Sequence, residues 1–371
     1  MSGDVRLVWG EQFMAYRLSE DHPLQPLRVK LTVDLIHRLG LDDEAQVIPP
    51  RLASDEEIEL CHSPRYVDLV RRLSDQPPAA HRLPPDAVEA GFGSSDNPIA
   101  AGMHDACAAV VGGSLVAAEA VHTGAALHAF NPAGGLHHAM RDRASGFCVY
   151  NDVAVAVAWL RGQGHRVACV DVDVHHGDGT QALFYTDPEV LTISLHESGR
   201  YLFPGTGFPD EIGEGEGRGA SANLPLAPYA WDEPWLRAFD AVVPPLLRAF
   251  RPTVLVTQDG CDTHALDPLA HLLGSTAIWP HVGRAFHGLA HELCGGRWVA
   301  LGGGGYAIRE VVPRAWTLLF AEMVERPEVA VQLIDEEAAV PLPEARERVW
   351  TALERDVRSL ARMLGQPLSL E

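Results

Sequence analysis

The segment CVDVDVHHGDG, Cys169 to Gly179, packs Asp171, Asp173 and Asp178 together with His175 and His176. Read as a strand, it sends Asp171, Asp173 and His175 to one face and Val170, Val172 and Val174 to the other. Three ionisable groups on one face of a buried strand are costly to desolvate unless a positive charge compensates them, and a divalent metal supplies that charge. Aspartate and histidine ligands without cysteine suit zinc in a catalytic centre, with iron or manganese as acceptable alternatives.

Asp173 and His175 give two ligands, and a centre that keeps a position open for water needs a third from another loop. Asp262 in QDGCD follows the apolar run TVLVT and Gly260, read here as a flexible joint, and is the best donor. An N-cap or Asx-turn is its competing reading. The loop GGLHHAM adds His137 and His138 after Gly134 and Gly135: glycines let backbone approach a ligand, and imidazoles titrate near neutrality. Asp171 and Asp178 are the carboxylates available to fix their tautomers.

ALGGGGYAIRE sets Gly302 to Gly305 before Tyr306. Its spacing is not that of a dinucleotide loop and it carries no lysine, which argues against a phosphate cradle. Read as a flexible floor beneath a metal, it lets Tyr306 donate to a developing oxyanion, a contribution of about 3 kcal/mol. A metal on Asp173, His175 and Asp262 would activate water and polarise a carbonyl while a histidine takes the proton. That is amide or ester hydrolysis without a covalent intermediate. Ser145 and Cys148 in ASGFC keep a Ser/His or Cys/His nucleophile as the rival, which leaves the aspartates unexplained.

The elements that must hold these groups are legible as apolar runs ending in polar loops: AALHAF, RVACVDVDV, VLTISL, TVLVTQ and RWVAL. Helical patterns over Asn151–Arg161, Trp235–Phe250 and His281–Leu293 alternate with them. The alternation predicts an α/β fold: one domain over residues 1–371, with an open, mostly parallel sheet and helices on both faces. Ligands collect outside the carboxyl ends of such strands, where every polar cluster falls. The Pro-rich Ser74–Asp86 and the Gly-rich Gly213–Gly219 read as surface loops.

Composition removes several function classes. A net charge of −21 argues against nucleic acid or an anionic membrane as partner and favours a basic peptide. Six scattered cysteines support neither a disulfide framework nor a zinc-thiolate ribbon, and read as buried thiols. Lys30, the only lysine, lies in the amphipathic PLRVKLTVDLIHRLG, so Schiff-base and P-loop chemistry are disfavoured. Apolar stretches such as Val153–Leu160 are too short to cross a bilayer, and no signal segment opens the chain, so a cytoplasmic protein is expected. Composition carries no signal for oligomeric state.

Taken in order, GGLHHA, ASGFCVYND, DVDVHHGDGT, SLHE with FPGTG, QDGCDTHALDPL and LGGGGY resemble the zinc-dependent histone deacetylase superfamily. The closest likeness is to its class I-like and bacterial acetoin-utilisation members, and it runs from DHPLQPLR to GGGGY. The resemblance implies an arginase/deacetylase-like fold, with catalytic motifs over 96–306 and a terminal helical segment at about 335–365. It implies zinc, or iron(II), at Asp173, His175 and Asp262, and pairs His137 with Asp171. His138, paired with Asp178, would be the general base and acid, and Tyr306 would bind the carbonyl. Gly146, Phe147, Phe203 and Leu269 would line a tunnel suited to the apolar stem of an acyl-lysine. Asp96 would hold the substrate backbone.

A structural potassium is implied at groups of Asp171, Asp173, His175, Ser194 and Leu195. A second, at Phe184, Asp187 and Val190, is put in doubt because Ala220 stands where relatives often carry tyrosine. Substrates would be acyl-lysine proteins or peptides, with acetyl-CoA synthetase as the suggested partner. The short terminal helix without a long tail points to a free-standing bacterial enzyme rather than a chromatin complex. Two other readings stay open: an acetylpolyamine amidohydrolase, disfavoured by Asp96 and the lack of a pocket-narrowing insertion, and a catalytically silent acyl-lysine binder, disfavoured by intact Tyr306 and both histidines.

Overall fold

Runs such as VACVD and VLVTQ are buried along their whole length, as expected of strands covered on both faces. The computed structural model describes residues 4–79 and 82–370. Its strands are β1 (Val5–Val8), β2 (Gln46–Ile48), β3 (His128–Asn131), β4 (Val167–Asp171), β5 (Val190–Glu197), β6 (Ser221–Leu226), β7 (Val254–Gln258) and β8 (Trp298–Leu301). They form one eight-stranded sheet in the order β2-β1-β3-β8-β7-β4-β5-β6, and every pairing is parallel. The four central neighbours, β3, β8, β7 and β4, therefore send their carboxyl-end loops to one place.

Among the described residues, nine helices of seven or more residues cover the sheet: α1 (Leu27–Arg38), α2 (Pro64–Asp75), α3 (Met103–His122), α4 (Asp152–Gly162), α5 (Asp178–Phe184), α6 (Asp232–Phe250), α7 (Ile278–Cys294), α8 (Val312–Met323) and α9 (Pro343–Leu364). Each central strand meets helices: α3 lies on β3 and β8, α4 and α6 on β4, and α4 and α7 on β7. Lys30, on α1, pairs with Asp34 one turn away, and all six cysteines are free and buried.

The α/β expectation holds, with local corrections. The valine-spaced strand stops at Asp171, so Asp173 and His175 sit on a bent loop rather than on one strand face. Asp262 already ties that loop down, accepting from the Val174 N–H at 3.0 Å. The terminal helix starts at Pro343, where the fixed φ of proline suits the first helical turn. Gly213–Gly219 is a loop containing a single short helical turn. The Pro-rich stretch read as a loop is helical at both ends, Ser74 and Asp75 closing α2 and Pro85 and Asp86 opening a short helix (Pro85–Glu89), and its positions 80 and 81 lie outside the described residues.

The sequence reading missed β1, β2, β6 and the longest apolar element. Helix α3 is long and apolar enough to cross a membrane by length and composition, but 83% of that window is buried inside the fold. Such a helix, apolar all round, is a core element here.

Gly112 explains how α3 packs so closely: a Cβ there would lie 1.9 Å from the Arg51 carbonyl oxygen, where the 51–53 segment crosses the helix. Alanine would gain about 1 kcal/mol of helix propensity, whereas overpacking a rigid backbone contact costs about 1–3 kcal/mol. Gly112→Ala is therefore expected to lower unfolding free energy in denaturant titration. A stabilised variant would show that the crossing is loose.

Candidate active site

The loop after β3 carries His137 and His138, and its anchor is Asp152. Both carboxylate oxygens of this wholly buried residue accept from the Gly135 N–H at 3.1 and 3.0 Å, and one accepts from Leu136 N–H at 2.7 Å. Asn151 beside it caps α4 through the Ala154 N–H and donates to the carbonyls of His137 and Ala139. One Asn-Asp pair at a helix start thus sets the path of the histidine loop.

His137 Nδ1 lies 2.7 Å from Asp171 Oδ2, and His138 Nδ1 lies 2.7 Å from Asp178 Oδ1. The two Nε2 atoms are 3.1 Å apart. Burial opposes charge on both rings. At His137, Asp171 and Asp173 outweigh it and hold the imidazole up to about 9. At His138, burial and the charge on His137 outweigh Asp178 and hold it down to about 4. A neutral His138 donates Nδ1–H to Asp178 and keeps its lone pair on Nε2, which faces the His137 Nε2 at 3.1 Å.

Asp173 and His175 follow β4, and Asp262 follows β7. His175 Nδ1 is 3.2 Å from Asp173 Oδ1 and 3.0 Å from Asp262 Oδ2, and all three side chains are buried. Burial would keep His175 neutral, but hydrogen bonds to the two carboxylates outweigh it and raise its pKa to about 10. The position is built for a positive charge. Two carboxylates and one imidazole, with ligand atoms within 4.8 Å of one another, fit a divalent ion. Gln258, at the end of β7, donates to Asp173 Oδ2 at 2.8 Å and to the Gly135 carbonyl at 3.0 Å, joining this cluster to the histidine loop.

Glycines at these loop ends serve close packing, which corrects the reading of Gly260 and Gly302–Gly305 as flexible. A Cβ on Gly260 would meet Asp173 Oδ2 at 1.9 Å, and one on Gly304 would meet Asp262 Oδ2 at 2.0 Å. A Cβ on Gly177 would meet Asp171 Oδ2 at 2.3 Å and one on Gly179 the Ala139 carbonyl oxygen at 2.5 Å, which explains why the aspartate run ends in glycine.

Tyr306 follows β8. Its N–H donates to Asp267 Oδ2 at 2.7 Å, and Asp267 Oδ1 accepts from Leu269, so one carboxylate fixes both. Burial and the nearby Asp262 and Asp173 push the Tyr306 phenol well above its usual range, so its hydroxyl stays a donor. Phe147 packs edge-on to Tyr306 at 5.7 Å, while Phe203 packs edge-on to His138 at 5.0 Å. A Cβ on Gly146 would lie 2.4 Å from His138 and 3.0 Å from Phe203, so only glycine fits between them. Phe147 takes φ 70, a strained value for a bulky residue. Tyr16 donates to its carbonyl at 2.8 Å, and His22 packs on its ring at 4.5 Å.

The remaining predicted residues are placed as follows. Asp96 is exposed, its carbonyl 3.3 Å from Nε2 of His22, the residue that packs on Phe147. Ser194 sits opposite Asp171 in the β4–β5 register, with Leu195 next in the strand. Phe184, Asp187 and Val190 form the turn from α5 into β5, beside Ala220, whose carbonyl accepts from Thr192. Among the described residues neither Ser145 nor Cys148 hydrogen-bonds an imidazole; Cys148 Sγ turns to the Gly146 carbonyl at 3.2 Å. The structure thus does not bring the nucleophile of the rival reading to its base.

Sequence reading missed Asp152, Asn151, Gln258, Asp267, Tyr16 and His22. It also missed buried Arg28, which donates to the Gly305 carbonyl at 3.0 Å. His176 is structural, meeting Thr206 at 2.8 Å and Gln181 at 3.2 Å beneath the Phe203 loop. The only available signal was Asn-Asp opening an apolar helix.

A carboxylate–imidazole centre at the carboxyl ends of a parallel sheet, flanked by two His–Asp pairs and a tyrosine, defines a metal-type hydrolase site. Residues 22–323 match the histone deacetylase domain, and the chain belongs to the histone deacetylase family. It is 44% identical to the acetoin utilization protein AcuC of Bacillus subtilis over 86% of this chain and 82% of that protein. The AcuC proteins of Staphylococcus aureus (strain MRSA252) and Staphylococcus xylosus are 38% and 37% identical, each over 86% of this chain and 82% and 83% of their own lengths.

Asp152→Ala would leave the Gly135 and Leu136 amides without their acceptor, at about 1–3 kcal/mol each. The variant is expected to lose about 2–4 kcal/mol in denaturant unfolding, with a smaller loss for Asp152→Asn, which keeps one acceptor oxygen. Unchanged stability in both would show that another group anchors the loop.

Proposed function

We propose that this chain is a zinc-dependent deacetylase that removes acetyl or other short acyl groups from lysine side chains of proteins. The observation that carries the reading is one convergence: Asp173, His175 and Asp262, the His137–Asp171 and His138–Asp178 pairs, and Tyr306 lie together, with Phe147 packed on Tyr306 and Phe203 on His138. Asp173, His175 and Asp262 would hold zinc, or iron(II) as the alternative. When bound, the ion supplies Lewis-acid polarisation of the acyl carbonyl and acidifies water.

The protein's own groups do the rest. Phe147 and Phe203 flank the methylene stem, which is apolar once acylation has removed its charge. Neutral His138 accepts the proton of the attacking water at Nε2 and returns it to the leaving amine, while Asp178 holds its tautomer. His137, kept cationic by Asp171, and the Tyr306 hydroxyl steady the negative charge that grows on the carbonyl oxygen. Exposed Asp96, oriented through its backbone by His22, accepts from substrate backbone amides at the rim. Potassium at Asp171, Asp173, His175, Ser194 and Leu195 is proposed as the ion that neutralises the back of the cluster. We propose a cytoplasmic enzyme serving acetoin utilisation, with acetyl-CoA synthetase as a protein substrate and neither nucleic acid nor membrane as a partner.

The test compares an acetyl-lysine peptide with N-acetylputrescine, with and without a chelator. Higher kcat/KM on the peptide, lost on chelation and restored by zinc, is expected. Tyr306→Phe should lower kcat by about 10²–10³-fold with little change in KM. Full turnover after chelation, or preference for the polyamine, would overturn the reading.

A further inference from the structure

At the far end of β3 from the histidine loop, three imidazoles meet. His128 opens the strand, and His287 and His291, four residues apart, share one face of α7. Ring centroids are 4.9 Å apart for His128 and His287, 5.2 Å for His128 and His291, and 4.7 Å for His287 and His291. One ring nitrogen from each lies within 4.8 Å of the other two.

We propose that His128, His287 and His291 form a second site for a divalent transition-metal ion, separate from the centre that Asp173, His175 and Asp262 supply. Three observations carry it. His128 is 3% exposed and its Nδ1 is buried without a hydrogen-bond partner, an arrangement that is costly unless something fills it. The set is purely imidazole, which selects the zinc, nickel and copper group over calcium or magnesium. The cluster is also graded from buried His128 through half-buried His287 to exposed His291, so an ion can enter from solvent.

Tetrahedral coordination at about 2.0–2.1 Å brings ligand nitrogens to about 3.3 Å, and rotation of exposed His291 can close that gap. Glu325, exposed on the turn after α8, has Oε1 4.0 Å from His287 Nε2 and is the carboxylate for a fourth position. A bound ion would tie β3, α7 and that turn together at the end of the sheet opposite the active site.

The experiment counts zinc per chain in the full-length enzyme after equilibrium dialysis. H287Q/H291Q is expected to bind one ion fewer than the unaltered chain, whatever number the catalytic centre holds, with deacetylation rates unchanged. H291Q alone, a surface change, should weaken the second ion at least tenfold, and E325Q about tenfold. H281Q, which alters a histidine on the same helix outside the cluster, should leave the count unchanged. Equal counts in the unaltered chain and H287Q/H291Q, or an equal loss in H281Q, would overturn the proposal. An unchanged affinity in E325Q would overturn the carboxylate's part.

Discussion

Everything at the carboxyl end of this sheet follows from forcing Asp173 and Asp262 together out of water. With ligand atoms within 4.8 Å, two carboxylates at an effective dielectric of 20 repel by about 3–4 kcal/mol, before any desolvation cost. The surrounding groups answer that field. His175 is drawn strongly toward its cationic form, His137 is held charged, and Gln258 and the Gly304 N–H donate to Asp173. Burial and the charge on Asp173 push Asp262 up, whereas Asp173, despite its burial, is held low by His137 and His175. Such a cluster fits a cation.

The same constraint explains the glycines. Donors reach the carboxylates only if the loops after β4, β7 and β8 come within contact distance of one another, and at Gly177, Gly260 and Gly304 a methyl group would occupy the space of a carboxylate oxygen. The glycine-rich run before Tyr306 is thus a tightly seated strip of backbone. It delivers Tyr306 to a fixed place, which Asp267 then holds through two amides.

How much of this was legible depended on what each residue binds. Asp173, His175, His137, His138 and Tyr306 stand out because several chemically loaded residues crowd into short segments. Asp152, Gln258, Tyr16 and Asp267 were not legible, since their partners are main-chain groups on elements distant in sequence, and a lone polar residue beside an apolar run looks like an ordinary cap or turn. The strand and helix alternation gave the fold class. The α3 helix was missed because its small residues, Ala, Gly and Ser, dilute the apolar signal. The strand β6 was missed because its polar Ser221 and Asn223 break the run, although both are buried and bonded in the network around Gln181.

The two histidine-bearing ends of β3 show how one residue type takes opposite roles. Near the carboxyl end, acids surround His137 and His175, so both imidazoles are pulled toward the cationic form. At the amino end, burial and then two other imidazoles hold His128 neutral, beside the Trp298 ring. An ion between Asp173 and Asp262 would have its charge offset by two carboxylates, whereas one at His128, His287 and His291 would have only Glu325 beside it.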